Sequence, residues 1–227
     1  MEIFELNGIR LHLPDDVSSP QVRAKLHSGD YEGFEAKAAM KRVKPGNRVL
    51  ELGAGLGYIS AICARAAGPE NVLSVEANPR MLDVIRSNLA LNGFSEVRLV
   101  HAAVSEGEEK GREVIPFHAG KAFWGGSLDP AENRSGDMIN VPLLCFGDLM
   151  DAFRPHVVIM DIEGGEARLF DRPWPVHVRR VMMELHPNKY PDTVIKRIVE
   201  CMSESGLTYD PVASSGRVIG FKRVQGD

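Results

Sequence analysis

Apolar positions along the chain keep two rhythms. Five short runs are nearly continuous: Val49-Leu50-Glu51-Leu52, Val72-Leu73-Ser74-Val75-Glu76, Val97 to Val104, Val157-Val158-Ile159-Met160-Asp161 and Val181-Met182-Met183-Glu184-Leu185. Between them apolar residues recur at helical spacing. Phe34, Ala38 and Val43 do so within Ser28 to Val43, and the stretches Ile59 to Ala67 and Arg80 to Leu91 follow. Val194, Ile195, Ile198, Val199 and Met202 mark a helix from Asp192 to Ser205, closed by Gly206. Strands that alternate with helices predict βαβ units on a parallel sheet. The expected fold is therefore α/β, a Rossmann-like doubly wound and mostly parallel sheet. The run ending at Asp161 is the most apolar, as the centre of such a sheet requires.

The two ends follow another rule. Ile3 to Leu6 and Ile9 to Leu13 flank Asn7-Gly8, the strongest short signal for a β-hairpin. Leu207 to Val212 and Arg217 to Val224, joined across Ala213-Ser214-Ser215-Gly216, predict a closing antiparallel hairpin. Asp15 to Pro20 reads as a loop. No repeat or linker interrupts the chain, so its 227 residues are expected to form one domain. Only Ser105 to Asp148 breaks the alternation. It holds Phe123-Trp124 beside Gly125-Gly126-Ser127. Insertions of this length carry function or disorder. This one reads equally as a substrate-facing loop and as a surface excursion.

The chemistry starts where the first apolar run ends. Gly53-Ala54-Gly55-Leu56-Gly57 makes a tight turn before the helix that opens at Tyr58. Such a turn lets a ligand approach the main chain, and the helix behind it aims free N–H groups at the same point. A dinucleotide turn has a third glycine at the place Tyr58 occupies. Glu51 also sets a negative charge near a pyrophosphate's position. S-adenosylmethionine carries an ammonium and a sulfonium and no phosphate, so the acid attracts it. Glu76 ends the second strand about 20 residues further on, where a ribose-binding carboxylate belongs. Ala77 follows it, and Ala102 and Ala103 leave room for a flat ring at the end of the third strand. Tyr31, Glu32 and Glu35 begin a helix that packs toward the turn. A solvated first turn accounts for the two acids equally simply.

Two further strand ends carry reactive groups. Asp161 closes the central strand, and ligands of open α/β sheets bind at such carboxyl ends. Glu163 and Glu166 follow across Gly164-Gly165. Glu184 and His186 end the next strand two residues apart, hence on one side of it. Asp161 and His186 are the candidate bases, with Glu163 beside them. No metal site is predicted, although Asp161, Glu163 and His186 together form a donor set that suits a divalent cation.

Composition narrows the classes. The chain is 44% hydrophobic and 26% charged with a net charge of −4, ordinary for a globular protein. No basic face points to nucleic acid, and no apolar run reaches the roughly 20 residues of a membrane span. Cys63, Cys145 and Cys201 are scattered and match no zinc spacing. With no leader-like start, these features point to free thiols and the cytoplasm.

Three motifs in this order resemble class I S-adenosylmethionine-dependent methyltransferases, and more narrowly the FkbM family. They are Val49-Leu50-Glu51-Leu52-Gly53-Ala54-Gly55-Leu56-Gly57, then Val75-Glu76-Ala77-Asn78-Pro79, then Asp161-Ile162-Glu163-Gly164-Gly165-Glu166. The third is the specific one. Glu51 stands for the family's more usual aspartate, and Gly111 to Gly136 does not align with it. The resemblance implies that Glu51 to Gly57 hold the methionine part, Glu76 the ribose and Ala102-Ala103 the adenine. It sets Asp161 beside the reacting methyl. It also implies an O-methyltransferase whose acceptor is a small molecule of sugar or polyketide type. Two rivals stay open on the residues alone: an NAD-dependent oxidoreductase and a catalytically degenerate cofactor-binding module.

Overall fold

The computed structural model describes residues 2–106, 111–120, 126 and 136–224. The chain starts with the hairpin of β1 (Ile3–Leu6) and β2 (Ile9–His12). Asn7 and Gly8 both take positive φ (50° and 73°), as a tight turn matched to strand twist requires. The hairpin lies against helices rather than over the ligand cavity. The Asn88 side chain accepts from His12 N and donates to His12 O, and Arg65 Nη1 donates to Asn7 O.

Helix α1 (Pro20–Ser28) was not expected; Ser19 caps it and Pro20 opens it. Gly29 in the left-handed region ends it, and α2 (Gly33–Arg42) follows. The helix expected from Ser28 to Val43 therefore begins only at Gly33, because Ser28 closes α1 and residues 29–32 separate the two. The alternating units then run β3 (Val49–Leu52), α3 (Tyr58–Ala67), β4 (Val72–Glu76), α4 (Leu82–Leu91) and β5 (Arg98–His101).

The expected third strand is split. β6 (Ala103–Ser105) leaves the main sheet and pairs in parallel with β8 (Gly136–Cys145), which pairs antiparallel with β7 (Val114–Gly120). The described part of the insertion is thus a three-stranded sheet with its own small apolar cluster of Ala103, Ile115, Phe117, Ala119 and Val141. Phe123-Trp124 and Ser127, read equally as a substrate-facing loop and as a surface excursion, lie outside the described residues.

The chain returns through α5 (Phe146–Phe153), β9 (Val157–Met160), β10 (Arg180–Glu184), α6 (Asp192–Glu204), β11 (Leu207–Tyr209) and β12 (Val218–Arg223). The main sheet has the order β11-β12-β10-β9-β3-β4-β5. β9, β3, β4 and β5 pair in parallel, as do β9 and β10, while β12 is antiparallel to both its neighbours. This is the doubly wound sheet with a closing hairpin that the pattern predicts. Side chains alternate between its faces: Val49, Val157 and Ile159 meet α3 and the N-terminal elements, whereas Leu50, Leu52, Val158 and Met160 meet α5, α6 and Trp174. Among the described residues no helix is long and apolar enough to cross a membrane.

Strand order reverses between β3 and β9, so their carboxyl ends face one crevice. Gly53 follows one and Asp161 the other. Their backbones touch: a Cβ on Gly53 would lie 1.9 Å from the Asp161 carbonyl oxygen, and Gly53 has φ +83°. Only glycine fits there.

Candidate functional site

A cavity of about 840 Å³ opens at this crevice. Its inner wall is Leu52, Gly53, Gly55, Val75, Glu76 and Ala77, continued by Ala102 and Ala103. The size suits a nucleoside-sized ligand with an acceptor beside it.

The turn and Glu76 are one unit. Ala54 N and Gly55 N donate to Glu76 Oε2 at 3.0 and 3.2 Å, and Asn78 N donates to Oε1 at 2.8 Å. Burial pushes the Glu76 carboxyl up, and these backbone donors pull against it. The N–H groups that a pyrophosphate would need are thus spent on a carboxylate. That physical fact disfavours a dinucleotide and suits a cofactor bound through hydroxyls. Gly57 and Ala54 shape the turn without lining the cavity; Gly57 N donates to Ala54 O, and Gly57 packs on Ile85.

Glu51 departs from expectation. It is 1% exposed and lines no part of the cavity. On β3 it points the opposite way from Leu50 and Leu52, under α3, where its Oε2 accepts from Ser60 Oγ and Ser74 Oγ. Burial raises its pKa from 4.5 to about 7, against the pull of both serines. It braces α3 on β3 and β4 instead of meeting a ligand.

Tyr31 does line the cavity, buried, with its ring 6.1 Å from that of Tyr58. Glu32 and Glu35 line it too. Glu35 is buried, so the solvated reading fails for it. Burial raises the carboxyls of both. Glu32 takes φ 45° at the break between α1 and α2. A non-glycine residue in that region stores strain of order 1–3 kcal/mol, which the surrounding packing must hold.

The second acidic wall follows β9. Glu163 (φ 52°) and Gly164 (φ 103°) fold the Asp161 to Glu166 segment back on itself. Fully buried Glu166 fastens it: Oε1 accepts from Ile162 N and Oε2 from Gly164 N, both at 2.9 Å. His186, 3% exposed, lies between this loop and β10. Its Nδ1 is 3.3 Å from Glu166 Oε1, a charge contact, and its Nε2 is 3.4 Å from Asp161 Oδ1 and 3.9 Å from Glu163 Oε2. Its own N–H donates to Tyr190 OH at 2.8 Å.

Burial lowers the imidazole pKa, but Glu166, Glu163 and Glu184 together outweigh it and the net direction is up. Burial also raises Asp161 well above the carboxylate range, with Glu184 and Glu163 adding like charge. The structure therefore brings Asp161, Glu163 and His186 together as expected. It adds Glu184, which lines the cavity and pairs with Arg217 of the closing hairpin. Arg217 had no local signal, because only the fold carries it from residue 217 to this wall.

A family model for the TRM5/TYW2 methyltransferase domain matches residues 24–115. A protein-L-isoaspartate O-methyltransferase from Methanocella arvoryzae is 41% identical over 66 residues, covering 29% of this chain and 35% of that protein. A protein N-terminal and lysine N-methyltransferase from Cryptococcus neoformans is 29% identical over 115 residues, covering 51% and 33%. The chain thus spans about a third of the length of these relatives. Among solved structures, a precorrin-6y C5,15-methyltransferase from Geobacter metallireducens shares the fold with a TM-score of 0.51 at 15% identity, covering 94% of each chain. The family match and the relatives thus bear on the part of the chain that holds the glycine turn and Glu76, and the solved structure shows that the fold is shared. The matching family model and both named relatives are methyltransferases, in line with the S-adenosylmethionine expected from the sequence. The matching family model is not that of FkbM.

Proposed function

We propose that the protein moves a methyl group from S-adenosylmethionine to an acceptor oxygen seated against Asp161, as the FkbM-like motifs imply. The observation that carries this is the shared cavity. The Glu76-braced glycine turn forms one wall, and Asp161, with His186 behind it, forms the next.

When bound, S-adenosylmethionine supplies an electrophilic methyl on a positive sulfur. Glu76 receives the ribose hydroxyls, and Ala102 and Ala103 flank the adenine. The acidic walls favour the cofactor's cationic end. With the cofactor bound, the methyl group would be supplied to an acceptor hydroxyl seated against Asp161, and Asp161 would take that hydroxyl's proton. His186 Nε2 stands 3.4 Å from Asp161 Oδ1, and Glu166 lies behind the ring, 3.3 Å from Nδ1. Alignment of the two reactants supplies roughly 7–11 kcal/mol. The base contributes about 10²–10⁴-fold.

A second reading takes a protein side chain as the acceptor, because relatives named above methylate isoaspartyl or lysine residues of proteins. The family match ends at residue 115, before β9 and β10, so it bears on the cofactor half of the site. The first reading therefore rests on the Asp161-to-Glu166 unit. Incubation with methyl-labelled S-adenosylmethionine and separate small-molecule and protein fractions distinguishes the two. Label on a small-molecule hydroxyl, reduced about 10²–10⁴-fold in Asp161→Asn, is the expected result. Label on protein alone would move the assignment to the second reading.

A further inference from the structure

We propose that Asp161, Glu163 and His186 bind a divalent cation on the acceptor side of the cavity. The inference rests on the methyltransferase reading and deepens it. One imidazole nitrogen and two carboxylate oxygens converge there, with their donor atoms all within 4.8 Å of one another. At metal–ligand bonds of about 2.1 Å, two ligands of one ion lie at most about 4.2 Å apart, and the separations of 3.4 and 3.9 Å from Nε2 to the two carboxylates fall within that span.

Two further features point the same way. Asp161 Oδ1 is buried with no hydrogen-bond donor among the described residues. A buried acceptor without a donor is the kind of group that a cation satisfies. The His186 ring, 96% buried by side chain, is backed at Nδ1 by Glu166. A carboxylate only accepts, so with an ion on Nε2 the ring would carry its proton on Nδ1, toward Glu166. A carboxylate behind a histidine is the usual support of a metal-binding imidazole.

Around it, Arg217 is engaged by Glu184, and Lys189 Nζ stands 3.8 Å from Glu163 Oε2. Asp161 and Glu163 both sit on the cavity wall, so an ion held there has a face open to the acceptor. One nitrogen with two carboxylate oxygens suits Mn²⁺, Mg²⁺ or Fe²⁺. Bound to it, an acceptor hydroxyl loses its proton more readily. Asp161 would then act as a ligand, and the ion would do the acidifying.

The test titrates Mn²⁺ into purified protein, follows the free ion by electron paramagnetic resonance, and measures S-adenosylhomocysteine binding on the same samples by calorimetry. The expected result is one Mn²⁺ per chain, weakened at least about tenfold in Glu163→Gln and in His186→Ala, with S-adenosylhomocysteine still bound. Glu163 is 27% exposed by side chain, so its variant keeps the test valid if His186→Ala unfolds. Wild-type protein that binds S-adenosylhomocysteine but no Mn²⁺ overturns the cation site and leaves the methyltransferase reading standing. Mn²⁺ held equally by wild type and Glu163→Gln overturns it as well. No binding of S-adenosylhomocysteine by the wild type removes the methyltransferase reading and this inference with it.

Discussion

The two walls of the cavity hold their carboxylates in opposite ways. On the cofactor side, Glu76 is fixed by backbone N–H groups of Ala54, Gly55 and Asn78, all in or next to its own motifs. On the acceptor side, Asp161, Glu163 and Glu184 crowd one another, and side chains from other loops answer them: His186, Lys189 and Arg217. A backbone-held acid has one geometry and one task. A crowd of acids answered by side chains can change partner, proton or ion. That suits the first wall to a constant cofactor and the second to chemistry.

The contrast can be broken at the contact between the walls. Gly53→Ala should have the largest effect. Its methyl would meet the Asp161 carbonyl at 1.9 Å in a backbone region where alanine is strained. Strain alone amounts to about 1–3 kcal/mol, before the clash is counted. Thermal unfolding should show the loss of stability, and calorimetry should show S-adenosylhomocysteine binding weakened more than about 100-fold. A normal affinity would mean the two walls are not rigidly joined.

Glu51→Gln sharpens the comparison next, because Glu51 stands behind the cofactor wall. Its folded pKa of about 7 lies above the ordinary 4.5, so the folded protein holds the proton more tightly than the unfolded chain. Stability from this group is therefore full below pH 4.5 and is lost as pH rises to about 7. The difference is on the order of 3 kcal/mol. Glu51→Gln should be the more stable protein at pH 8, with the gap narrowing toward pH 5, and ligand affinity should change little. Reduced affinity with unchanged pH dependence would restore Glu51 to the ligand site. Asn88→Ala should have the smallest effect. It removes bonds to His12 and to Leu56 O that tie the N-terminal hairpin to the body, a loss of about 1–3 kcal/mol in unfolding with cofactor binding unaltered.

The same contrast governs what the chain reveals before folding. The sheet, its closing hairpin and the Gly53, Gly55 and Glu76 wall were legible, because strand rhythm and backbone turns are local. Glu51 was misplaced for a simple reason. Motif spacing locates a residue along β3, but alternation decides its face, and Ser60 and Ser74 claim it from α3 and β4. Helix α1 was missed because Pro20 and Ser19 resemble loop residues until their capping role is seen. β6 looked like the end of one strand, since nothing near Ala103 announces its partner Leu143 in β8. Asp161, Glu163 and His186 were visible as strand ends. Glu166 as their fastener and Arg217 as the partner of Glu184 depend on contacts across many residues.

The most direct test of the central claim is calorimetry of S-adenosylmethionine, S-adenosylhomocysteine and NAD on purified protein, with Glu76→Ala beside the wild type. Each hydrogen bond to a charged group is worth about 1.5–3 kcal/mol, so the substitution should weaken both sulfur ligands at least about tenfold. NAD should not bind. NAD binding without either sulfur ligand, or S-adenosylhomocysteine binding unchanged by Glu76→Ala, would contradict the account.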